Sequence, residues 1–352
     1  MTLNERIDSF AQLGELFRNF PGETDDPRIE KIRAAAKQAQ IENPWFIQEN
    51  ICHALLSFSE SLTLEKLNSW LKPYERKIAD NDQPHTVGVV MAGNIPLVGF
   101  HDFLSVLITG HRLIAKLSSQ DAVLLPAIIE VLTANHPGWN DYISITKQPL
   151  SSFDAIIATG SNNSSRYFEY YFGKYPNIIR KNRNSVAIIT GEESNEDLLA
   201  LADDMLLYFG LGCRSVSKLY IPVGYDLKKL INHFGKFENY RYHNKYRNNY
   251  DYYKSIYIIN KIPFIDTGDI ILTENNSLSS PVSVIFYEYY EDITPLSKQI
   301  DDMDSHLQSI VCHKRVKGHW ILPGTAQHPE LWDYADHIDT IDFLLDLGKK
   351  NE

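Results

Sequence analysis

Thr86-Val-Gly-Val-Val-Met-Ala-Gly-Asn-Ile-Pro-Leu-Val-Gly99 decides the fold class. Thr86 to Met91 is a short apolar run with β-branched residues, which predicts a buried strand. Gly93-Asn-Ile-Pro96 breaks it as a turn, and Leu97 to Thr109 carries the apolar spacing of a helix. The alternation continues downstream. His111 to Lys116 predicts a second strand, Asp121 to Asn135 a helix, and Tyr142 to Thr146 and Ala155 to Ala158 further strands, the last ending at Thr159-Gly-Ser-Asn-Asn163. Strands alternating with helices at this spacing predict an open, doubly wound α/β domain with a mostly parallel sheet. A second series follows: a strand at Asn184 to Ile189, a helix at Glu193 to Phe209, a strand from Val216 to Pro222, helical residues from Asp226 to Phe234, strands at Ile270 to Thr273 and Val282 to Tyr287, a helix at Thr294 to Asp302, and a strand entry at Ser309 to Cys312. A last helix is expected near Tyr334 to Leu347. Upstream, residues 3–80 predict helices, with Ile7, Phe10, Leu13 and Leu16 on one apolar stripe and Ile29, Ile32 and Ala36 on another. The turn cluster Asp80-Asn-Asp-Gln-Pro84 marks a boundary.

The 352 residues suffice for two domains, and 43% hydrophobic with 22% charged residues is the composition of an ordinary globular protein. A formal charge of −11 excludes nucleic acid as the main partner, because phosphate binding needs a basic face. The crowd of Tyr, Asn, Lys and Arg between Phe237 and Tyr257 therefore reads as an exposed helical region. Three cysteines, Cys52, Cys213 and Cys312, without paired spacing indicate a reduced, cytoplasmic setting. No apolar run is long enough for a membrane span, and the polar start Met-Thr-Leu-Asn-Glu-Arg lacks a secretory apolar segment. No histidine has metal spacing with a cysteine or a second histidine, so no metal is expected.

Cys213 lies in Tyr208-Phe-Gly-Leu-Gly-Cys-Arg-Ser-Val-Ser-Lys-Leu-Tyr-Ile-Pro222. Glycines at 210 and 212 allow a tight turn, and the strand behind it fixes the thiol. That is a good mount for a nucleophile, although a lone cysteine beside a turn is more often a small packing residue. Other local motifs weigh on the choice: Met91-Ala-Gly-Asn-Ile-Pro-Leu-Val-Gly99, Ile114-Ala-Lys-Leu-Ser-Ser119, Ile156-Ile-Ala-Thr-Gly-Ser-Asn162, Arg180-Lys-Asn-Arg-Asn-Ser-Val-Ala-Ile-Ile189 and Pro281-Val-Ser-Val-Ile285. The Gly-Asn turn after the first strand exposes a side-chain amide and free helix N–H groups. A strand running into Gly160-Ser161 and a helix is a plausible anion cradle. The ordinary Gly-x-Gly-x-x-Gly fingerprint is absent.

In this order the motifs resemble the aldehyde dehydrogenase superfamily, and within it the acyl-CoA reductase branch typified by the bioluminescence fatty-acid reductase. The resemblance runs from about residue 85 to the C-terminus. It implies two doubly wound α/β domains with N-terminal helices: a cofactor-binding domain from residues 1–180 plus 313–352, and a catalytic domain, 181–312, carrying the nucleophile Cys213. It implies that Asn94, matching the family's Trp-Asn-Phe-Pro segment, donates to the thiohemiacetal oxyanion. Lys116, Ser118 and Ser119 match the Lys-Pro-Ser-Glu segment that holds the adenosine ribose, and Gly160 and Ser161 match the Gly-Ser turn beside the cofactor phosphates. With Ser119 in place of the glutamate, a 2′-phosphate meets donors rather than a like charge, so NADPH is expected over NADH. Pro281 to Ile285 matches a Gly-Pro-Val segment, whose preceding ribose glutamate has no clear counterpart; Ser277, Ser279 and Glu274 lie near its place.

In hydrolytic members a glutamate heads the segment aligned with Arg180 to Ile189 and activates water. Arg180 stands at that position, and a permanent cation cannot take a proton from water. The resemblance therefore implies acyl exchange with a thiol rather than release of an acid. Arg180, Arg214 and His306, the last in Asp304-Ser-His-Leu-Gln-Ser-Ile310, are candidates for supporting the substrate or the thiolate. The expected activity is NADPH-dependent reduction of a long-chain acyl-CoA or acyl-carrier-protein thioester to the aldehyde through acyl-Cys213, by an enzyme that assembles as a homo-oligomer. The alternatives are a nucleotide-binding partner protein of the same fold that has lost catalysis, and an aldehyde dehydrogenase that releases acid.

Overall fold

In the computed structural model, residues 1–79 and 83–348 are described; most of the turn cluster expected at Asp80 to Pro84 lies outside them. The chain divides into two compact units, Met1–Asn182 with the segment from Glu330 onward, and Arg183–Pro329.

The first unit begins with five helices, α1 (Leu3–Arg18), α2 (Pro27–Glu42), α3 (Gln48–Ser61), α4 (Leu64–Leu71) and α5 (Glu75–Ala79). Their starts are set by side-chain caps: Thr2 accepts from the Glu5 N–H in a capping box, Asp26 from Arg28, and Thr63 from Lys66. Then come β1 (Thr86–Val90), α6 (Phe100–Ile108), β2 (Arg112–Lys116), α7 (Leu124–Asn135), β3 (Ile143–Ile145), β4 (Ala155–Thr159), α8 (Asn162–Phe172) and β5 (Asn177–Arg180). The sheet is parallel throughout, in the order β3-β2-β1-β4-β5. The direction of winding reverses between β1 and β4, which makes a doubly wound sheet. β1 and β4 are near-continuous apolar runs because both faces are covered. The N-terminal helices belong to this core: Phe10 packs edge-on against Phe103 and Trp139, and Phe17 against Phe100.

The second unit contains β6 (Asn184–Ile188), α9 (Asn195–Leu206), β7 (Val216–Pro222), α10 (Lys228–Ile231), α11 (Asn244–Ile259), β8 (Ile265–Asp266), β9 (Ile271–Glu274), β10 (Val284–Tyr290), α12 (Ile293–Asp302), β11 (Leu307–Val311) and β12 (Trp320–Ile321). Its seven-stranded sheet runs β12-β11-β6-β7-β10-β9-β8, antiparallel only at the β8–β9 edge. The return to the first unit falls at Glu330 rather than 313, because β12 pairs in parallel with β11 and keeps that segment in the second unit. α13 (Thr340–Leu345) closes the described chain.

Several boundaries differ from the periodicity. The helix expected from Leu97 starts at Phe100, because Leu97 is left-handed (φ 57°) and gives its N–H to Asp121. The helix expected from Asp121 starts at Leu124 for the same reason, since that carboxylate is used outside the helix. The helix expected to reach Phe209 stops at Leu206, where Tyr208 and Phe209 turn left-handed. Asp226 to Phe234 yields only the short α10 and a 3-10 stretch from Phe234 to Tyr242. The strand β5 has no counterpart in the sequence expectations.

Candidate active site

In the first unit the motifs gather at the carboxyl edge of the sheet. Val90 stands opposite Lys116 on one side and Ala158 on the other, so the loops leaving β1, β2 and β4 start level with one another. Asn94 follows β1, Lys116 ends β2 with Ser118 and Ser119 behind it, and Gly160 and Ser161 follow β4. This is the topological switch point, where open α/β sheets bind ligands. Two glycines let the loops close up. A Cβ on Gly93 would lie 2.6 Å from Ser118 Oγ, and one on Gly160 would lie 2.8 Å from Phe168 and 2.9 Å from Ser164 Cβ. Ser161 caps α8, its Oγ accepting from Ser164 N at 3.3 Å. Lys116 Nζ donates to the Lys147 and Gln148 carbonyls at 3.3 Å each. Ser118 Oγ accepts from Gln120 N at 3.2 Å, while Ser119 is exposed.

Arg180 ends β5 but turns inward. At 4% exposure its guanidinium is ion-paired with Asp102 of α6 and donates to Thr340 Oγ1 at 3.1 Å. The support for substrate or thiolate expected of it gives way to a structural role, in which it joins β5, α6 and α13. The signal in the sequence for this pair was Asp102 itself, the one acid within the mostly apolar run of Phe100–Ile108.

In the second unit the cysteine side gathers at the amino edge. Ser185 of β6 pairs with Val216 of β7 and with Ser309 of β11, which places the Cys213 turn and His306 at the same edge. The turn before β10, with Ser283 at φ 68°, lies there too, since Val284 pairs with Ile271 at the start of β9. Glu274 ends β9 at the opposite edge. The Cys213 turn closes through Ser215 N to Gly212 O at 3.0 Å, and Ser185 Oγ donates to the Cys213 carbonyl at 3.0 Å. Tyr208, Phe209 and Gly210 are three successive left-handed residues (φ 54°, 58° and 70°) leading into it. For Tyr and Phe that backbone is strained by ~1–3 kcal/mol each. It is held by burial of the Phe209 ring, whose centroid is 4.2 Å from Tyr240 and 4.6 Å from His243.

Among the described residues none of the three cysteines is in a disulfide. Cys312 is buried and burial pushes its thiol up; Cys52 is pushed up by burial and by Glu49. Cys213 is half-buried on its turn beside Arg214, also half-buried. His306 is exposed, its Nδ1 3.2 Å from Ser305 Oγ.

Behind the cysteine lies a network absent from the sequence expectations. Asp204 of α9, fully buried, accepts from Gly324 N at 2.6 Å and Ala326 N at 3.0 Å. Gln327 on the same loop donates to the Asp204 carbonyl and to Ser215 Oγ, both at 3.4 Å. Burial pushes the Asp204 carboxyl up to about 7, against the opposing pull of its backbone donors. The only sequence signal was an acid directly before the apolar Met205 and Leu206. Among the described residues no three His, Cys, Asp or Glu side chains are grouped to hold a metal ion, and no helix is long and apolar enough to cross a membrane.

No protein-family model matches the chain. Over 246 residues it is 22% identical to a long-chain acyl-protein thioester reductase 2 of Photobacterium leiognathi, covering 62% of this chain and 50% of that protein. Over 170 residues it is 25% identical to a long-chain acyl-protein thioester reductase of Aliivibrio fischeri, covering 44% and 35%. The chain thus spans about half the length, or less, of these curated relatives. Among solved structures, an aldehyde dehydrogenase from Pseudomonas aeruginosa aligns with TM-score 0.60 at 11% identity, covering 90% of this chain and 73% of that one. An NAD+ complex of an aldehyde dehydrogenase from Bacillus cereus aligns with TM-score 0.58 at 12% identity, covering 89% and 72%. The chain has the aldehyde dehydrogenase fold, and its sequence resembles the acyl-thioester-reducing branch of that superfamily.

Two outcomes follow from the buried charges. Asp102→Ala strands the Arg180 guanidinium and lowers stability by about 3–5 kcal/mol in urea denaturation; adding Arg180→Met recovers part of that loss. Asp204 binds its proton more tightly folded than unfolded, so between its ordinary 3.8 and about 7 the native state holds protons that the unfolded state has shed. Stability therefore falls as pH rises through that window, by at most roughly 1.4 kcal/mol per pH unit, and levels off above it. Asp204→Asn, which keeps one acceptor and does not titrate, gives a lower urea midpoint without this slope between pH 5 and 8.

Proposed function

We propose that this chain reduces an acyl thioester to the aldehyde, using a nicotinamide cofactor, NADPH in preference to NADH, and carrying the acyl group on Cys213. The observation that carries the reading is the Cys213 turn itself: a half-buried cysteine outside any disulfide, pinned through its carbonyl by Ser185, on a strained and aromatic-braced turn. The similarity to long-chain acyl-protein thioester reductases supports an acyl chain delivered on a carrier protein or on CoA.

The residues of the first-unit edge suit a dinucleotide. Parallel strands end there at the switch point, Gly160 brings the backbone against α8, and Lys116, Ser118 and Ser119 offer donors without a carboxylate. Lys116, Ser118 and Ser119 would hold the ribose and its 2′-phosphate, and Gly160 and Ser161 the phosphates. When bound, the reduced nicotinamide supplies a hydride to the acyl carbon.

The protein's own residues do the rest. The Cys213 thiolate attacks the thioester carbonyl carbon. A new C–S bond forms, the carrier's C–S bond breaks, and the carrier leaves as a thiol after taking a proton. The Asn94 amide and the Cys213 N–H donate to the oxygen as it becomes an oxyanion, before reduction and again in the thiohemiacetal. Collapse of the thiohemiacetal breaks the Cys213 C–S bond, releases aldehyde and restores the thiolate. Overall one hydride and one proton are consumed, and one aldehyde and one thiol are produced. Water is a poor competitor because position 180 carries a cation already matched by Asp102.

The test is product analysis with acyl-CoA and acyl-carrier-protein thioesters of several lengths, with NADPH or NADH. Aldehyde forms, dependent on thioester and faster with NADPH, without accumulation of acid. Cys213→Ser abolishes it, and Asn94→Ala lowers kcat about 10²–10³-fold. Oxidation of aldehydes to acid at a comparable rate, or turnover retained by Cys213→Ser, overturns the proposal. Cofactor binding without turnover of any thioester assigns the chain instead to a nucleotide-binding partner role.

A further inference from the structure

We propose that Asp121 is a positioning residue that sets the Asn94 turn, and that its ionisation tightens that turn. This rests on the reading of Asn94 as the oxyanion donor. The turn is gripped at both flanks by one short segment, Ser118 to Asp121. On the near side, Gly93 lies so close that a Cβ there would stand 2.6 Å from Ser118 Oγ and 3.1 Å from Asp121 N. On the far side, Asp121 Oδ2 accepts the Leu97 N–H at 2.8 Å. Leu97 is left-handed (φ 57°), a conformation that is strained for an ordinary L-residue. The charged acceptor offsets that cost and fixes the Leu97 end of the turn that begins at Asn94, where the Leu97 carbonyl also accepts from Phe100 N at 2.9 Å.

Anchoring one N–H needs only a neutral acceptor, yet the residue here is an acid. It is 8% exposed, and its Oδ1 is buried with no hydrogen-bond partner. Around it lie Met91 and Leu97 of the turn after β1, Phe100 at the start of α6, Leu117 after β2 and Leu125 of α7, none of them titratable. Such a surrounding disfavours a carboxylate; burial pushes Asp121 up to about 6, with the Leu97 N–H pulling the other way. Ionised, it makes a charge-assisted bond to Leu97; protonated, it is an acceptor about half as strong. The clamp on Asn94 is thus firm above about pH 6 and slack below it.

Two measurements test this. Hydrogen exchange of the peptide covering residues 91–100, corrected for intrinsic rates between pH 5 and 8, reads the clamp without any turnover. Protection falls several-fold below about pH 6 in the unmodified chain, is independent of pH in Asp121→Asn, and is lost at all pH values in Asp121→Ala. In thioester reduction, Asp121→Ala lowers kcat about 10–100-fold with little change in KM, Asp121→Asn restores most of the rate, and neither change has a further effect in an Asn94→Ala background. Equal exchange in Asp121→Ala and the unmodified chain overturns the clamp. A further loss from Asp121→Ala in the Asn94→Ala background overturns its action through Asn94. Absence of thioester turnover in the unmodified chain overturns the function reading instead and leaves the exchange result standing. Asp121→Asn keeps the test decisive if Asp121→Ala fails to fold.

Discussion

Parallel pairing of a central strand with neighbours on both sides is the constraint on which each unit depends. In the first unit β1 lies between β2 and β4, and the register sets Val90 level with Lys116 and Ala158. Three loops far apart in sequence therefore leave the sheet side by side, and the residues after them share one edge. In the second unit β6 lies between β7 and β11, and its Ser185 stands level with Val216 and Ser309. That register puts a hydroxyl under the Cys213 turn, where it donates to the cysteine's carbonyl. A one-residue slip in either sheet would turn alternate side chains to the opposite face and dissolve both arrangements.

Much of this was legible in the sequence, because buried parallel strands are written as short apolar runs and their ends as Gly, Asn and Ser. The strands at Thr86, Ala155, Asn184 and Val216 lie within a residue or so of where those runs place them. What was not legible was the use made of buried acids. Asp121, Asp102 and Asp204 are each followed by apolar residues, and nothing local says that the partner is the Leu97 N–H, the Arg180 guanidinium, or the N–H groups of Gly324 and Ala326. These partners are long-range, so they override the local signals. Leu97 and Asp121 carry helical periodicity but lie outside the helices, since their hydrogen bond is made elsewhere. β5 is hard to read because Asn177–Arg180 is short and ends in a charge, which suggests surface until Asp102 is in place.

The same acids give the chemistry its supports. Each group that the proposed function calls on stands beside a strained turn: Asn94 precedes the left-handed Leu97, and Cys213 follows the left-handed Tyr208 and Phe209. In both cases a buried carboxylate takes backbone N–H groups from a loop in or beside the turn, and in both burial raises that carboxyl toward neutrality. Arg180 adds the third element. The position at which the resemblance expects a water-activating base holds a cation, and Asp102 is ion-paired with that cation. Under the proposed function, an acyl group carried on Cys213 is left to leave by reduction.

The most direct test of that claim is the mass of the Cys213 peptide. Pure protein mixed with a long-chain acyl-CoA, without reductant, should carry one acyl group on that peptide, released by hydroxylamine and stable to water over the time of a turnover. Added NADPH should discharge it with an equal yield of aldehyde. Aldehyde formed with no acyl mass on Cys213, or an adduct lost to water as fast as to NADPH, would contradict the account.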